Sequence, residues 1–147
     1  MPKELKTTRV LKKVFKKTFW KLPEAEQRKI LERMTKRLNS LYGIEVEISF
    51  YPDPLNYRAT GGGRYSAEER KIYLYKASLM TFLHEYAHAI HHQKYRNEYR
   101  KPEEFSILWS HKVFKNFLPR LYKKNIKERK FFHSPAPEEI ENFQYVL

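Results

Sequence analysis

One stretch constrains this chain more than any other. From Ser78 to Tyr95 the pattern is helical, with Ser78 placed to cap the start. Leu79, Phe82, Leu83, Tyr86, Ala87 and Ile90 distribute apolar side chains almost all the way round that helix, so it must be largely buried. Yet its middle reads His84-Glu85-Tyr86-Ala87-His88. Burying two imidazoles and a carboxylate together is costly unless they share a purpose. Any fold for this sequence has to put the helix inside and give those three side chains a common partner.

The spacing suggests what that partner is. Residues i and i+4 of a helix lie one turn apart on the same face. His84 and His88 can therefore point at one ion, each at about 2.0–2.1 Å. Glu85 is rotated by roughly 100°. That is too far to join them as an equal ligand, but its carboxylate can reach a water on the ion and accept its proton. The H-E-x-x-H pattern thus predicts one zinc ion per chain, His84 and His88 as metal ligands, and Glu85 as the catalytic general base. The chain has no cysteine, which excludes disulfides, thiolate metal sites and cysteine nucleophiles together. Any further ligand must be a histidine or a carboxylate.

A catalytic zinc takes three protein ligands and keeps one position open. The metzincin pattern would need Gly at position 91 and His at position 94, where this chain has His91 and Lys94. His92 lies two turns from His84, about 12 Å along the axis, too far to share an ion easily. His91 falls on the ligand face and is expected to support the site or line the cleft. The remaining sources are Glu103 and Glu104 on the next helix, or His111 or His133 from further away. The acidic pair is preferred, because a short αα-hairpin can bring its helix alongside. Periodicity does not choose between the two acids, since that helix too is apolar all round.

The rest of the chain supplies the surroundings. Residues 5–22 form a basic amphipathic segment in which Val10, Leu11, Val14, Phe15, Phe19 and Trp20 alternate with paired lysines, predicting a helix packed by its apolar face. Pro23 opens a second helix with Glu24 and Glu26 in its first turn, and Gly43 stops it. Ile44, Val46, Ile48 and Phe50 alternate with polar residues, which predicts a half-buried strand broken by Pro52, Asp53 and Pro54. Gly61-Gly62-Gly63 marks a bulge or a place where another backbone comes close. Ile72-Tyr73-Leu74-Tyr75 reads as a strand paired with Arg64-Tyr65 through a turn at residues 67–70. A last helix runs from Pro102 to about Leu118, where Pro119 ends it, and residues 119–147 form a tail. The order predicts one α+β domain over residues 1–147 with a small antiparallel or mixed sheet.

The net charge is +13, from 30 Lys+Arg against 17 Asp+Glu. Such a field draws polyanions or acidic partners, or serves solubility alone. No run of about 18 apolar residues could span a membrane. The first residues show neither an uninterrupted apolar stretch nor a small-residue cleavage site, so a cytoplasmic location is expected.

The segment FLHEYAHAIHH followed by PEEFSILWS resembles the gluzincins, in which the third ligand is a Glu on the helix after the H-E-x-x-H helix. The short chain is similar to minimal gluzincin scaffolds and to ImmA/IrrE-like peptidases. SprT-like peptidases are a second comparison, but the cysteines of their zinc ribbon are absent here. The resemblance covers about residues 44–118. It implies a zincin-like minimal domain: a small sheet, a backing helix, the H-E-x-x-H helix and a glutamate helix. It carries the third ligand to Glu104, with Phe105, Ser106 and Leu108 departing from the usual residues that follow. The implied activity is that of a zinc metalloendopeptidase acting on a protein or peptide substrate. Its substrate would be held by strand addition along Tyr73–Tyr75 or Arg64-Tyr65. Tyr65, Tyr95, Tyr99, His91, His111 and Arg64 are the candidate donors to a developing oxyanion. Two other readings stand beside it. One is a basic nucleic-acid-associated protein with a structural metal site. The other is a self-inhibited peptidase whose tail brings His133 or Glu139 near the metal.

Overall fold

The computed structural model describes residues 2–50 and 62–144. The expected break at Pro52, Asp53 and Pro54, the first glycine of the Gly61–Gly63 run and the last three residues of the tail lie outside them. The helices are α1 (Lys3–Val14), α2 (Glu24–Tyr42), α3 (Leu79–Ile90), α4 (Pro102–Phe117), α5 (Pro119–Lys127) and α6 (Pro137–Asn142). Between α2 and α3 come β1 (Glu47–Phe50), β2 (Gly63–Ser66) and β3 (Lys71–Leu74). The architecture is α+β with a mixed sheet in the order β1-β3-β2. β1 runs parallel to β3, while β2 is antiparallel to it and forms an edge.

Local chemistry explains most boundaries. The Ser78 hydroxyl accepts the Thr81 backbone N–H at 3.3 Å and caps α3. α2 begins after Pro23 and ends at Gly43, whose φ of 66° is the left-handed conformation that glycine adopts without cost. The amphipathic segment expected over residues 5–22 is helical only to Val14. Phe15 then turns extended, and a short 3₁₀ turn follows at Phe19–Lys21. The break lets Phe15 meet the edges of Phe117 at 5.0 Å and Trp20 at 5.5 Å. Phe19 is buried, whereas Trp20 stays half exposed. Pro119 ends α4 as expected and also opens α5, so the tail holds two helices.

The core lies between the sheet, α2 and the α3–α4 hairpin. Ile72 and Leu74 of β3, Phe82, Leu83, Tyr86 and Ile90 of α3, and Phe105, Trp109 and Phe114 of α4 are all buried. One partly buried polar relay ties α3 and α2 to the residue before β1. The Tyr86 hydroxyl donates to Asn39 Oδ1 at 2.9 Å, and Asn39 Nδ2 donates to the Val46 carbonyl at 2.9 Å. α1 is pinned to α2 by a 2.6 Å hydrogen bond between the Thr7 and Tyr42 hydroxyls.

Of the expected close approaches around the glycine run, Gly63 shows one. A Cβ there would lie 2.9 Å from both Leu74 Cδ2 and Thr81 Cγ2 and 3.0 Å from the Tyr73 carbonyl. The glycine therefore sets how near β2 lies to the first turn of α3. Gly63→Ala is expected to destabilise the fold by about 1–3 kcal/mol through overpacking. Thr81→Ser, which removes one of the clashing carbons, is expected to restore part of the loss. Thermal unfolding of the two single variants and the double variant checks this, and additive effects would rule the contact out.

Candidate metal centre

α3 presents His84 and His88 to one side, one turn apart, with ring centroids separated by 5.0 Å. α4 returns antiparallel and brings Glu103 across from its first turn. Glu103 Oε1 lies 3.0 Å from His84 Nε2, and Glu103 Oε2 lies 3.0 Å from His88 Nε2. One ligand atom from each of His84, His88 and Glu103 falls in a group whose members all lie within 4.8 Å of one another. Among the described residues this is the one such cluster of histidine and acidic side chains.

Glu104 does not take part. Its carboxylate is engaged elsewhere, 3.7 Å from Lys101 Nζ and hydrogen-bonded to the Tyr99 side chain. The difference from the expectation is one of helix phase. Ser106 and Ser110 are small and fully buried. They continue the row that starts at Glu103 at spacings of three and seven residues, and small side chains let two helices approach closely. Glu103 and Ser110 both line the cleft. An apolar-all-round pattern hides this phase, but the two serines in an otherwise bulky helix are a signal of it.

Glu85 sits one residue round the helix from His84 and is buried. Burial pushes its carboxyl up to about 7, the Glu103 charge adds to the rise, and a backbone hydrogen bond from Tyr65 opposes it. Burial also drives His84 down to about 4, against the pull of Glu103, and lowers His88 in the same way. Both imidazoles are therefore neutral near pH 7, which is the form that ligates a metal.

Two imidazole nitrogens and a carboxylate oxygen are a zinc donor set. A tetrahedron built on bonds of about 2.0–2.1 Å has edges of about 3.3–3.4 Å. Each imidazole nitrogen lies 3.0 Å from one of the two Glu103 oxygens, close to one such edge, and one ligand atom from each of the three residues lies within 4.8 Å of the others. The residues present fit the ion that the motif implies.

The triad lines a cleft of about 1300 Å³. Its floor is α3, one wall is β2, and the other is α4 with residues 129–133 of the tail. After Ile90 the helix widens into a π turn, His91–Tyr95. This turn buries His91, which hydrogen-bonds the Tyr99 carbonyl, and aims His92 at the Tyr65 hydroxyl, 3.0 Å away. Of the six candidate donors, Tyr65, Arg64, His91 and His111 line the cleft. Tyr95 and Tyr99 instead pack on Phe105, with centroids 5.8 Å and 5.5 Å away. His111 is hydrogen-bonded to the Tyr122 hydroxyl at 2.7 Å, lines the cleft, and is not part of the ligand cluster.

The tail enters the cleft. Phe131 packs among His111, Phe114 and Tyr122 at centroid distances of 5.2–5.4 Å. Two residues later the His133 ring stacks on His84 at 5.7 Å and 15°, with Nε2 3.8 Å from Glu103 Oε1. Its nitrogen does not join the tight cluster of ligand atoms. Glu139 lies elsewhere, accepting from the Ala136 backbone N–H at 3.3 Å. Of the two strands expected to hold a substrate, β3 is central and β2 is the edge.

Comparison with family models, curated proteins and solved structures finds no match for this chain. No helix among the described residues is long and apolar enough to cross a membrane.

The geometry ranks the two acids. Zinc titration with isothermal calorimetry is expected to show one ion per chain. Glu103→Ala should weaken it by more than the 10–100-fold typical of a supporting residue, while Glu104→Ala leaves it unchanged. The reverse order would return the ligand role to Glu104.

Proposed function

We propose that the chain is a zinc-dependent endopeptidase of the zincin kind. The observation that carries this reading is the Glu103 carboxylate spanning both H-E-x-x-H imidazoles at 3.0 Å, beside buried Glu85, on the wall of an open cleft. The surroundings support it: α2 behind the sheet, the histidine helix in the core and a glutamate helix antiparallel to it.

His84, His88 and Glu103 would hold the ion, which supplies a Lewis acid that acidifies water and polarises a carbonyl. Glu85 stands where it can take a proton from the attacking water and pass it to the leaving amine nitrogen. Glu85 must be ionised to begin that cycle, and a cation beside it favours the ionised form. The Tyr65 backbone bond fixes the carboxylate against β2, so the base is held by the same strand that borders the cleft.

The edge of β2 offers backbone groups to a substrate. The Tyr75 N–H donates to the Gly62 carbonyl at 2.9 Å. By the alternation of an antiparallel ladder, Gly62, Arg64 and Ser66 then turn their polar groups to β3, while Gly63 and Tyr65 turn theirs away, the Tyr65 N–H toward Glu85. An extended peptide can pair with that outer side. His133 adds a ring nitrogen next to the triad without completing it, and so joins the candidate donors to the oxyanion.

Glu85→Gln keeps the shape and loses the proton acceptor. It is expected to retain zinc while peptide hydrolysis falls by a factor on the order of 10²–10⁴. Metal content beside turnover of a quenched-fluorescence peptide library checks both, and undiminished turnover would remove Glu85 from the mechanism.

A further inference from the structure

The cleft has an electrostatic character that the metal site does not account for. Its acids are Glu85 and Glu103, both belonging to the site itself. Its permanent cations are Arg64, Arg96, Arg129 and Lys130. The chain as a whole carries 19 Lys and 11 Arg, so a lysine-rich coat serving solubility alone would leave mainly lysines here. Arginine dominates instead. Its planar fork matches a carboxylate or phosphate in a way that an ammonium does not.

Two arginines close turns beside the cleft. The two non-glycine residues with positive φ among the described residues are both arginines, Arg70 at 52° and Arg129 at 54°. Glycine occupies such positions without strain, and other residues are uncommon there. Arg129 closes α5, where the Lys130 N–H bonds back to the Asn125 carbonyl at 2.9 Å and turns the tail into the cleft. Arg70 closes the β2–β3 turn and, with Arg96, acts electrostatically on His92, which lines the cleft. Cations thus stand at both ends, Arg70 and Arg96 by His92, and Arg129 by His133, where Lys130 is already paired with Glu128 at 3.3 Å. Arg64, with its guanidinium 4.3 Å over the Tyr73 ring, lies on the edge strand between. None of the four arginines has a carboxylate within 4.0 Å among the described residues.

We infer that the cleft takes an extended polypeptide with acidic side chains on both sides of the segment that lies over the triad. The charges at its two ends would read those carboxylates, and the outward backbone groups of Gly63, with the Tyr65 carbonyl, would hold the main chain. Those backbone groups favour a polypeptide over a nucleic acid, which has no ladder of amides to pair with them. The inference rests on the peptidase reading for what happens to the bound chain, but binding is a separate observable.

The test uses the full chain carrying Glu85→Gln, loaded with zinc, and fluorescence anisotropy at about 50 mM salt, where such charge contacts are strong. The probes are a labelled ten-residue peptide with two Glu on each side of its centre, its Gln counterpart, and a ten-nucleotide single strand. The Glu peptide is expected to bind about tenfold more tightly than the Gln peptide, as four partly exposed ion pairs allow. Arg96→Ala and Arg129→Ala should each cut that preference several-fold and leave zinc content and Gln-peptide binding unchanged. Equal binding of the two peptides, or no binding of either, overturns the inference. So does tighter binding of the oligonucleotide that the same arginine substitutions abolish, which would assign the cleft to nucleic acid. If the Glu peptide binds as expected but zinc-loaded chain with Glu85 intact leaves it uncut, the peptidase reading fails and the acidic-peptide site stands. If peptides are cut regardless of their charge and bind equally, the reverse holds.

Discussion

α3 supplies both the centre of the core and the histidines of the cleft, and these two demands compete. Leu79, Phe82, Leu83, Tyr86 and Ile90 are buried, and each such side chain contributes about 1.5–3 kcal/mol. On the same helix, His84, Glu85 and His88 lose much of their hydration, which raises the Glu85 pKa and lowers those of the two histidines. A buried polar group short of partners costs about 1–3 kcal/mol. The apolar side of the account is larger, so the helix stays inside. What limits the cost is Glu103, whose two oxygens meet one imidazole each. The carboxylate comes from the more exposed end of α4, with 58% of its side-chain surface in contact with solvent. The polar cluster therefore sits at the wet margin of the core, where a charge is tolerable.

Much of the remaining structure serves to hold α4 in that register. Phe105 gathers His91, Tyr95, Tyr99 and Phe143 around it at centroid distances of 5.4–5.8 Å. This aromatic cluster locks the first turn of α4 against the π turn that ends α3. Gln93 fastens the same turn to the entry of β1, giving Nε2 to the Glu45 carbonyl at 2.7 Å and accepting the Glu45 N–H at 3.1 Å. Because the acid lies two residues before Phe105, a small rotation of α4 would separate it from the histidines.

The parts of the fold governed by local pattern were legible in the sequence. The cap at Ser78, the stop at Gly43, the pairing of Arg64-Tyr65 with Ile72–Leu74 and the helix opening at Pro102 all follow from residue-by-residue chemistry. The juxtaposition of His84 and His88 was legible too, because their spacing on a helix is itself the geometry. What was hidden depends on contacts between elements. The choice of Glu103 over Glu104 is a matter of helix phase, and α4 is too evenly apolar to reveal its phase through hydrophobicity. The end of α1 at Val14 depends on Phe117, about a hundred residues away. The entry of His133 depends on Phe131 finding His111, Phe114 and Tyr122, which no local pattern in residues 119–147 announces.

These differences in origin bear on how the site would work. His84, His88, Glu85 and Glu103 stand on helices that the core fixes, so their mutual geometry is as rigid as the fold. The two walls are held in different ways. β2 is set by steric contact, with Gly63 pressed against Leu74 and Thr81 and Tyr65 bonded to Glu85. Any shift of that strand must move the carboxylate with it. The opposite wall is α4 with residues 129–133 of the tail, where Phe131 is anchored among His111, Phe114 and Tyr122, Phe132 is 93% exposed, and His133 stacks on His84 with its Nε2 3.8 Å from Glu103 Oε1. A ligand lying along β2 thus meets a fixed edge on one side and, on the other, a histidine that can be displaced without disturbing the core.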